Sequence, residues 1–247
     1  MQKLLSKLRR CINDYKLIDE NDKIAVGLSG GKDSLTLLQL LKAYQRFSPE
    51  KFDIIAITLD TGNGADFKPL VDMCNNLDIE YHIIKTDINE IVFNIRKEKN
   101  PCSLCAKMRR GALNDTSKKL GCTKVALGHN KNDAIETLLM SMFYEGRLSC
   151  FLPKTYLSRI DITVIRPMLY INEREINSLA RKCNLPIVKN PCPADRNTKR
   201  QFMKELTYNL EKDFPNLEDR LLGCLTNTKQ LQIWEKPSSN EETVDKS

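Results

Sequence analysis

Apolar and polar positions change their period repeatedly along this chain. Residues 2–16 set apolar side chains between basic ones at roughly helical spacing, and Asp19-Glu20-Asn21-Asp22 ends that pattern with turn-forming residues. Lys23-Ile24-Ala25-Val26-Gly27-Leu28 is a nearly continuous apolar run, the pattern of a strand buried on both faces. Leu35-Thr36-Leu37-Leu38-Gln39-Leu40-Leu41 opens a helix, so residues 29–34 lie between a strand and a helix. The alternation recurs, with strands expected at 52–59, 80–85 and 123–127 and helices at 66–77, near 88–97 and at 131–144. A break at Asn100-Pro101 precedes a helix over 103–119, and a fifth strand at 161–166 is stopped by Pro167. Asn172 with Glu175 three residues on has the form of a capping box, starting a helix that runs to about Cys183. Beyond residue 198 the pattern is helical. Alternating strands and helices predict an α/β fold, a doubly wound and mostly parallel sheet covered on both faces, with helical N- and C-terminal extensions. The expected division is an N-terminal helix and turn at 1–22, one domain at 23–225, and a polar, disordered tail at 226–247.

Composition narrows the class without changing that picture. A chain of 247 residues, 41% hydrophobic and 29% charged, has the length and balance of one good-sized globular domain. No apolar run approaches the length of a membrane span, and Met1–Asn13 has neither the continuous apolar core nor the small-residue cleavage site of a signal peptide. A cytoplasmic protein with no membrane partner is expected. The net charge of +7, from 39 Lys plus Arg against 32 Asp plus Glu, is compatible with a nucleic-acid partner. The basic residues cluster at Lys7–Arg10, at Lys107, Arg109 and Arg110, and at Lys118-Lys119. Nine cysteines is an odd and high number for such a chain, which argues against a disulfide framework and towards metal or sulfur chemistry.

The candidate chemistry begins at Ser29-Gly30-Gly31-Lys32-Asp33-Ser34. A turn of consecutive backbone N–H groups at the mouth of a helix is an anion site, and Gly30 and Gly31 permit close approach. Ser29 and Ser34 add hydroxyl donors, Lys32 a cation, and Asp33 a helix cap or a carboxylate for Mg2+. The spacing is neither that of the Walker A loop nor that of a dinucleotide fingerprint. Gly128 and His129 end an expected strand at the edge where open α/β sheets bind ligands; Asp133 follows, and Asp60 ends another strand at the same edge. Cys102-Ser103-Leu104-Cys105 stands at a helix start, where two thiolates can reach one metal centre as a zinc half-site, a redox pair or an iron–sulfur half-site. The other cysteines, apart from Cys192, read as small buried hydrophobes.

The Ser29–Ser34 string resembles the SGGxDS motif of the PP-loop ATP pyrophosphatases, which transfer AMP to a substrate oxygen and release pyrophosphate. Cys102-Ser103-Leu104-Cys105 followed by Arg109-Arg110-Gly111 is similar to the CSLCxxxRRG segment of the tRNA 2-thiocytidine synthetase family, TtcA. The likeness continues through Gly128-His129, Ala134-Ile135-Glu136-Thr137, Met142–Gly146, Arg166-Pro167 and Pro191-Cys192-Pro193. It implies a HUP-type fold, ATP with Mg2+, and a [4Fe-4S] cluster held by Cys102, Cys105 and Cys192. The implied substrate is tRNA, with cytidine 32 becoming 2-thiocytidine. A sulfur donor, such as a cysteine desulfurase or free sulfide, and a homodimer are further expectations. Lys32 and Asp133 are the catalytic candidates, and the basic cluster of Lys107, Arg109 and Arg110 is expected to hold the RNA backbone. Two departures stand out: Asn132 replaces the first aspartate of the family's Gly-His-x-x-Asp-Asp, and Cys192 stands without a second CxxC. The competing readings are a 2-thiouridine synthetase, an amide-forming PP-loop ligase with a structural zinc, and a nucleotide-sensing module without turnover.

Overall fold

The computed structural model describes residues 1–62, 64–96, 101–188, 199–227 and 229. Buried apolar runs build a six-stranded sheet from β1 (Asp22–Gly27), β2 (Phe52–Asp60), β3 (Glu80–Lys85), β4 (Lys124–Ala126), β5 (Lys154–Leu157) and β6 (Ile162–Ile165). The strand order is β3-β2-β1-β4-β6-β5, with every pairing parallel except β5 against β6. The pleat sorts side chains to two faces. Ile24, Val26, Ile54 and Ala56 join one core, and Ala25, Ile55 and Ile57 join another. This is the covered, mostly parallel sheet that the apolar runs predict.

The helices are α1 (Gln2–Tyr15), α2 (Lys32–Gln45), α3 (Lys68–Asn76), α4 (Pro101–Lys119), α5 (Lys131–Glu145), α6 (Glu173–Lys182), α7 (Lys199–Asp213) and α8 (Leu217–Thr226). The first core receives Leu4 and Leu8 of α1, the apolar face of α2, Leu70 of α3 and Ile176 of α6. Leu113 of α4 packs on the opposite face. The N-terminal helix is thus part of the main core, since Leu8 and Cys11 are fully buried. Met203 of α7 packs on Ile135 and Leu139 of α5, with Leu221 of α8 against the same cluster.

Three local expectations change. The segment near 88–97 forms a π-helical turn at Glu90–Ile95. β5 is an edge strand of four residues, none fully buried, so it lacks the apolar run that marks the inner strands. Of the cysteines expected to be small buried hydrophobes, Cys11, Cys74 and Cys122 are buried, with thiols that desolvation pushes up to about 12, 11 and 11. Cys183 and Cys224 are exposed and Cys150 is half-buried, because they sit at a helix cap, on an outer helix and in a loop. No helix among the described residues is long and apolar enough to cross a membrane.

The sheet positions the site. Leaving β1, the chain passes through α2 to β2 on one side, while β4 pairs on the other, so strand order reverses between β1 and β4. The carboxyl ends of strands at such a reversal form a crevice. Because Leu8 is fully buried within the main core, Leu8→Ala is expected to cost about 2–4 kcal/mol, read as a lower denaturant midpoint with unchanged slope.

Candidate active site

Local sequence explains the loop at that crevice. Gly30 takes φ +80°, a conformation that favours glycine, and a Cβ there would lie 3.0 Å from Val188 Cβ. Gly31 is the extended N-cap of α2, and no side chain caps that helix. The first-turn N–H groups and the positive end of the helix dipole therefore face the crevice mouth. Lys32 and Asp33 already belong to α2, which starts before the apolar pattern does because its first turn is polar. Ser34 Oγ accepts from Ser29 N at 3.1 Å and donates to Gly31 O at 3.0 Å, while Gly31 N donates to Ser29 Oγ at 3.3 Å. The loop's shape is held from within.

The turn after β4 closes onto this loop. A Cβ on Gly128 would lie 3.0 Å from both Asp33 C and Ser34 N, so a side chain there would oblige one of the two backbones to give by a few tenths of an ångström. Asn130 caps α5, its side chain accepting from Asn132 N at 2.9 Å and Asp133 N at 3.2 Å. Asp133 Oδ2 completes the box by accepting from Asn130 N at 2.9 Å. Asn130 Nδ2 also donates to Asp33 Oδ1 at 3.1 Å, joining the N-termini of α2 and α5. The other Asp133 oxygen meets Arg200 Nη1 of α7 at 3.0 Å.

His129 is held in one tautomer. Arg166 Nε donates to its Nδ1 at 3.2 Å, which leaves the hydrogen on Nε2. Burial pulls the imidazole down to about 4, and the charges of Arg166, Arg200 and Arg110 add to that, so the ring is neutral at physiological pH. Arg166 is pinned in turn, donating to Leu152 O at 2.6 Å and lying 4.9 Å from the Phe151 ring centroid. Phe151 stacks on His129 with centroids 4.8 Å apart.

A cavity of ≈ 580 Å³ opens in this crevice. Ser29, Asp33, Ser34, Gly128, His129, Arg109 and Arg110 line it, joined by Ile57, Leu59, Phe151, Arg166 and Arg200. A second cavity of ≈ 220 Å³ lies beyond the α2 N-terminus and takes Lys32, Asp33, Asp133, Glu136, Glu173, Arg200 and Lys204. Asp33 and Arg200 border both. Lys32 Nζ pairs with Glu173 at 3.0 Å and Asp33 at 3.1 Å. Burial works against its charge, but these two carboxylates outweigh burial and hold the ammonium above its ordinary range. Glu173 also meets Lys204 at 2.6 Å; burial opposes its ionisation, and the two lysines keep it below the usual carboxylate range. Glu136 is different: burial pushes its carboxyl up to about 7 in spite of Arg200 at 3.3 Å.

The remaining sequence candidates are dispersed. Cys102 is exposed and Cys105 half-buried in the first turns of α4, an i, i+3 pair on one side of the helix. The next turns of the same helix supply Ala106, Arg109 and Arg110 to the larger cavity, whereas Lys107 points to solvent. Asp60 is not among the lining residues; its carboxylate accepts from Gly62 N at 2.9 Å and holds the turn after β2. Cys192 lies outside the described residues. Phe151, Glu173 and Arg200 carry no local signature in the sequence, and Glu136 stands out there only as part of the Ala134–Thr137 segment, since their meeting depends on how α5, α6, α7 and the 146–153 loop pack.

Asn132 uses both ends of its amide. Its Oδ1 accepts from Glu173 N at 2.8 Å and its Nδ2 donates to Glu218 Oε1 at 2.8 Å. A carboxylate there would face Glu218 without a proton to share, so the asparagine fits the α8 carboxylate that it meets.

A nucleotide-type anion loop at the switch point of a parallel sheet, facing a neutral histidine and several arginines, defines an ATP-using α/β domain. The chain belongs to the PP-loop family, whose PP-loop domain, ATP_bind_3, matches residues 1–210. It is 37% identical over 238 residues to the tRNA-cytidine(32) 2-sulfurtransferase of Teredinibacter turnerae, covering 94% of this chain and 79% of that one. It is 37% identical over 235 residues to that of Geobacter sulfurreducens, covering 92% and 90%. Among solved structures, the U34-tRNA thiolase NcsA from Methanococcus maripaludis with its [4Fe-4S] cluster superposes with a TM-score of 0.75 at 28% identity, covering 94% of this chain and 79% of that one.

Two predictions follow from these contacts. Asn132→Asp should lower stability by about 1–3 kcal/mol at neutral pH, with part of that loss recovered when Glu218→Gln is added; an equal loss in both backgrounds would contradict the Glu218 pairing. Glu136 binds its proton more tightly folded than unfolded, so its contribution is present at low pH and is lost as pH rises from about 4.5 to 7. Glu136→Gln should therefore gain about 2 kcal/mol relative to the native chain across that interval, measured by denaturant unfolding at each pH.

Proposed function

We propose that this chain is an ATP-dependent tRNA sulfurtransferase that adenylates the C2 oxygen of cytidine 32 and replaces it with sulfur. The observation that carries this reading is the single cavity joining the phosphate-type loop, the neutral His129 and the arginines that follow Cys105 on α4. The relatives named for cytidine 32 thiolation support the choice of base. A uridine is the second reading, favoured by the likeness to the U34-tRNA thiolase.

ATP places its phosphates on Ser29–Ser34, where the α2 N-terminus and the two serines receive them. Its adenosine takes the apolar wall formed by Ile57 and Leu59. The C2 oxygen of the base attacks the α-phosphorus, pyrophosphate departs, and the oxygen becomes a good leaving group bound to AMP. Sulfide then attacks C2 and AMP leaves with the original oxygen. His129 donates a hydrogen bond from Nε2 without adding a charge, and Arg166 fixes the ring for that role. Lys32 balances the β- and γ-phosphates, and Asp33 and Asp133 are the carboxylates near the Mg2+ that accompanies ATP. Arg109 and Arg110 meet RNA phosphates, with Lys107 on the outer face of the same helix.

The thiol pair suits an iron–sulfur centre in its donor chemistry and in its place, one helical turn from the cavity wall. Cys102 and Cys105 would hold a [4Fe-4S] cluster together with Cys192, and such a cluster would carry the sulfide that the second step uses. Free sulfide would provide that sulfur directly, and a cysteine desulfurase would do so together with a two-electron reductant, because its persulfide sulfur must be reduced to reach the sulfide level. The protein works in the cytoplasm, where tRNA is processed.

The test is anaerobic reconstitution with iron, sulfide, ATP and unmodified tRNA, followed by mass spectrometry of the nucleosides. ATP-dependent 2-thiocytidine is the expected product. A thiolated uridine would select the second reading, and unmodified tRNA from iron-loaded protein would overturn both.

A further inference from the structure

A third cavity of ≈ 250 Å³ adjoins the reaction cavity and shares Thr137, Phe151 and Arg200 with it. Its floor is one face of α5, since Thr137, Met140, Ser141 and Glu145 recur at i, i+3, i+4 and i+8. Its far wall is built by the chain itself. Gly146 ends α5 with φ +62° and turns the backbone back along the helix. Ser141 then fixes the returning strand: Arg147 N donates to Ser141 O at 3.1 Å, Ser141 Oγ donates to Arg147 O at 2.6 Å, and Ser149 N donates to Ser141 Oγ at 3.1 Å. Cys150 Sγ donates to Ala134 O at 3.5 Å. The cleft is therefore preformed.

The same α5 face continues to Tyr144, at i+7 from Thr137. Tyr144 is 46% exposed, and Lys199 Nζ stands 4.2 Å from its ring centroid. Phe143 beside it is 58% exposed. Two exposed aromatic side chains, one of them with a cation over its ring, on the helix that floors the cleft match the two parts of single-stranded RNA: a planar base to stack and a phosphate to pair.

Resting on the tRNA reading above, we propose that this cleft is a second nucleobase subsite, holding a nucleotide that flanks the target base. When the target base enters the reaction cavity, its neighbour in the same strand passes over Thr137 and Phe151 and lodges in the cleft. Tyr144 stacks on that base and Lys199 meets its phosphate. The loop is thereby gripped on both sides of the cavity mouth, with Arg109 and Arg110 on the other side.

The experiment measures affinity for an anticodon stem-loop by fluorescence anisotropy, with native protein, Tyr144→Ala and Tyr144→Trp. Tyr144→Ala should bind the stem-loop about tenfold more weakly with unchanged ATP affinity, and Tyr144→Trp should restore binding. Stem-loops with an abasic site at one or the other neighbour of the target cytidine locate the contact. At one neighbour the abasic site should weaken native binding equally and add nothing to Tyr144→Ala. Additive losses at both neighbours would overturn the subsite while leaving the thiolase reading in place. A dimer that Tyr144→Ala turns into a monomer in sedimentation would overturn it too, by assigning the face to a second copy of this chain. Failure of the native protein to bind the stem-loop would overturn both readings.

Discussion

The close approach of two backbones governs this site. The turn after β4 lies against the first turn of α2 at Gly128, where a Cβ would stand 3.0 Å from main-chain atoms of Asp33 and Ser34. One hydrogen bond, from Asn130 Nδ2 to Asp33 Oδ1, ties the same helix ends together. The rest follows. The loop and His129 face one cavity because their strands are neighbours and their turns cannot separate. A larger residue at 128 would press on the first turn of α2, beside the loop that opens into the crevice.

The second consequence is electrostatic. Helix N-termini gather positive potential, and the protein answers it with its own carboxylates: Asp33 and Glu173 on Lys32, and Asp133 and Glu136 on Arg200. An incoming polyphosphate exchanges one set of anions for another instead of filling an uncompensated positive site. Glu173 joins Lys32 and Lys204, and its backbone N–H is held by Asn132, so α6 and α7 are linked to the loop through this one carboxylate. Arg200 borders all three cavities, which gives the C-terminal helices a direct hold on the chemistry.

The sheet and its order of helices could be read from the chain because inner parallel strands are buried on both faces and leave continuous apolar runs, as 23–28 and 52–59 do. β5 escaped because an edge strand carries no such run. Leu4 and Leu8 gave α1 its helical spacing, but spacing alone could not say that they enter the main core. In the site, Ser29–Ser34 and Gly128-His129 were visible as local motifs, since turn and helix-start chemistry is local. Arg200, Glu173 and Glu218 were not, because their roles come from packing between helices distant in sequence. Asn132 shows the same limit: alone it reads as a lost carboxylate, and only Glu218 across from it reveals an amide that matches its partner.

The central claim is that the Ser29–Ser34 loop directs attack to the α-phosphorus of ATP. The most direct measurement incubates the iron-loaded protein with unmodified tRNA and uniformly labelled ATP, and separates the nucleotide products. AMP and pyrophosphate in equal amounts, formed only when tRNA is present, are the expected result. ADP and inorganic phosphate would contradict the account.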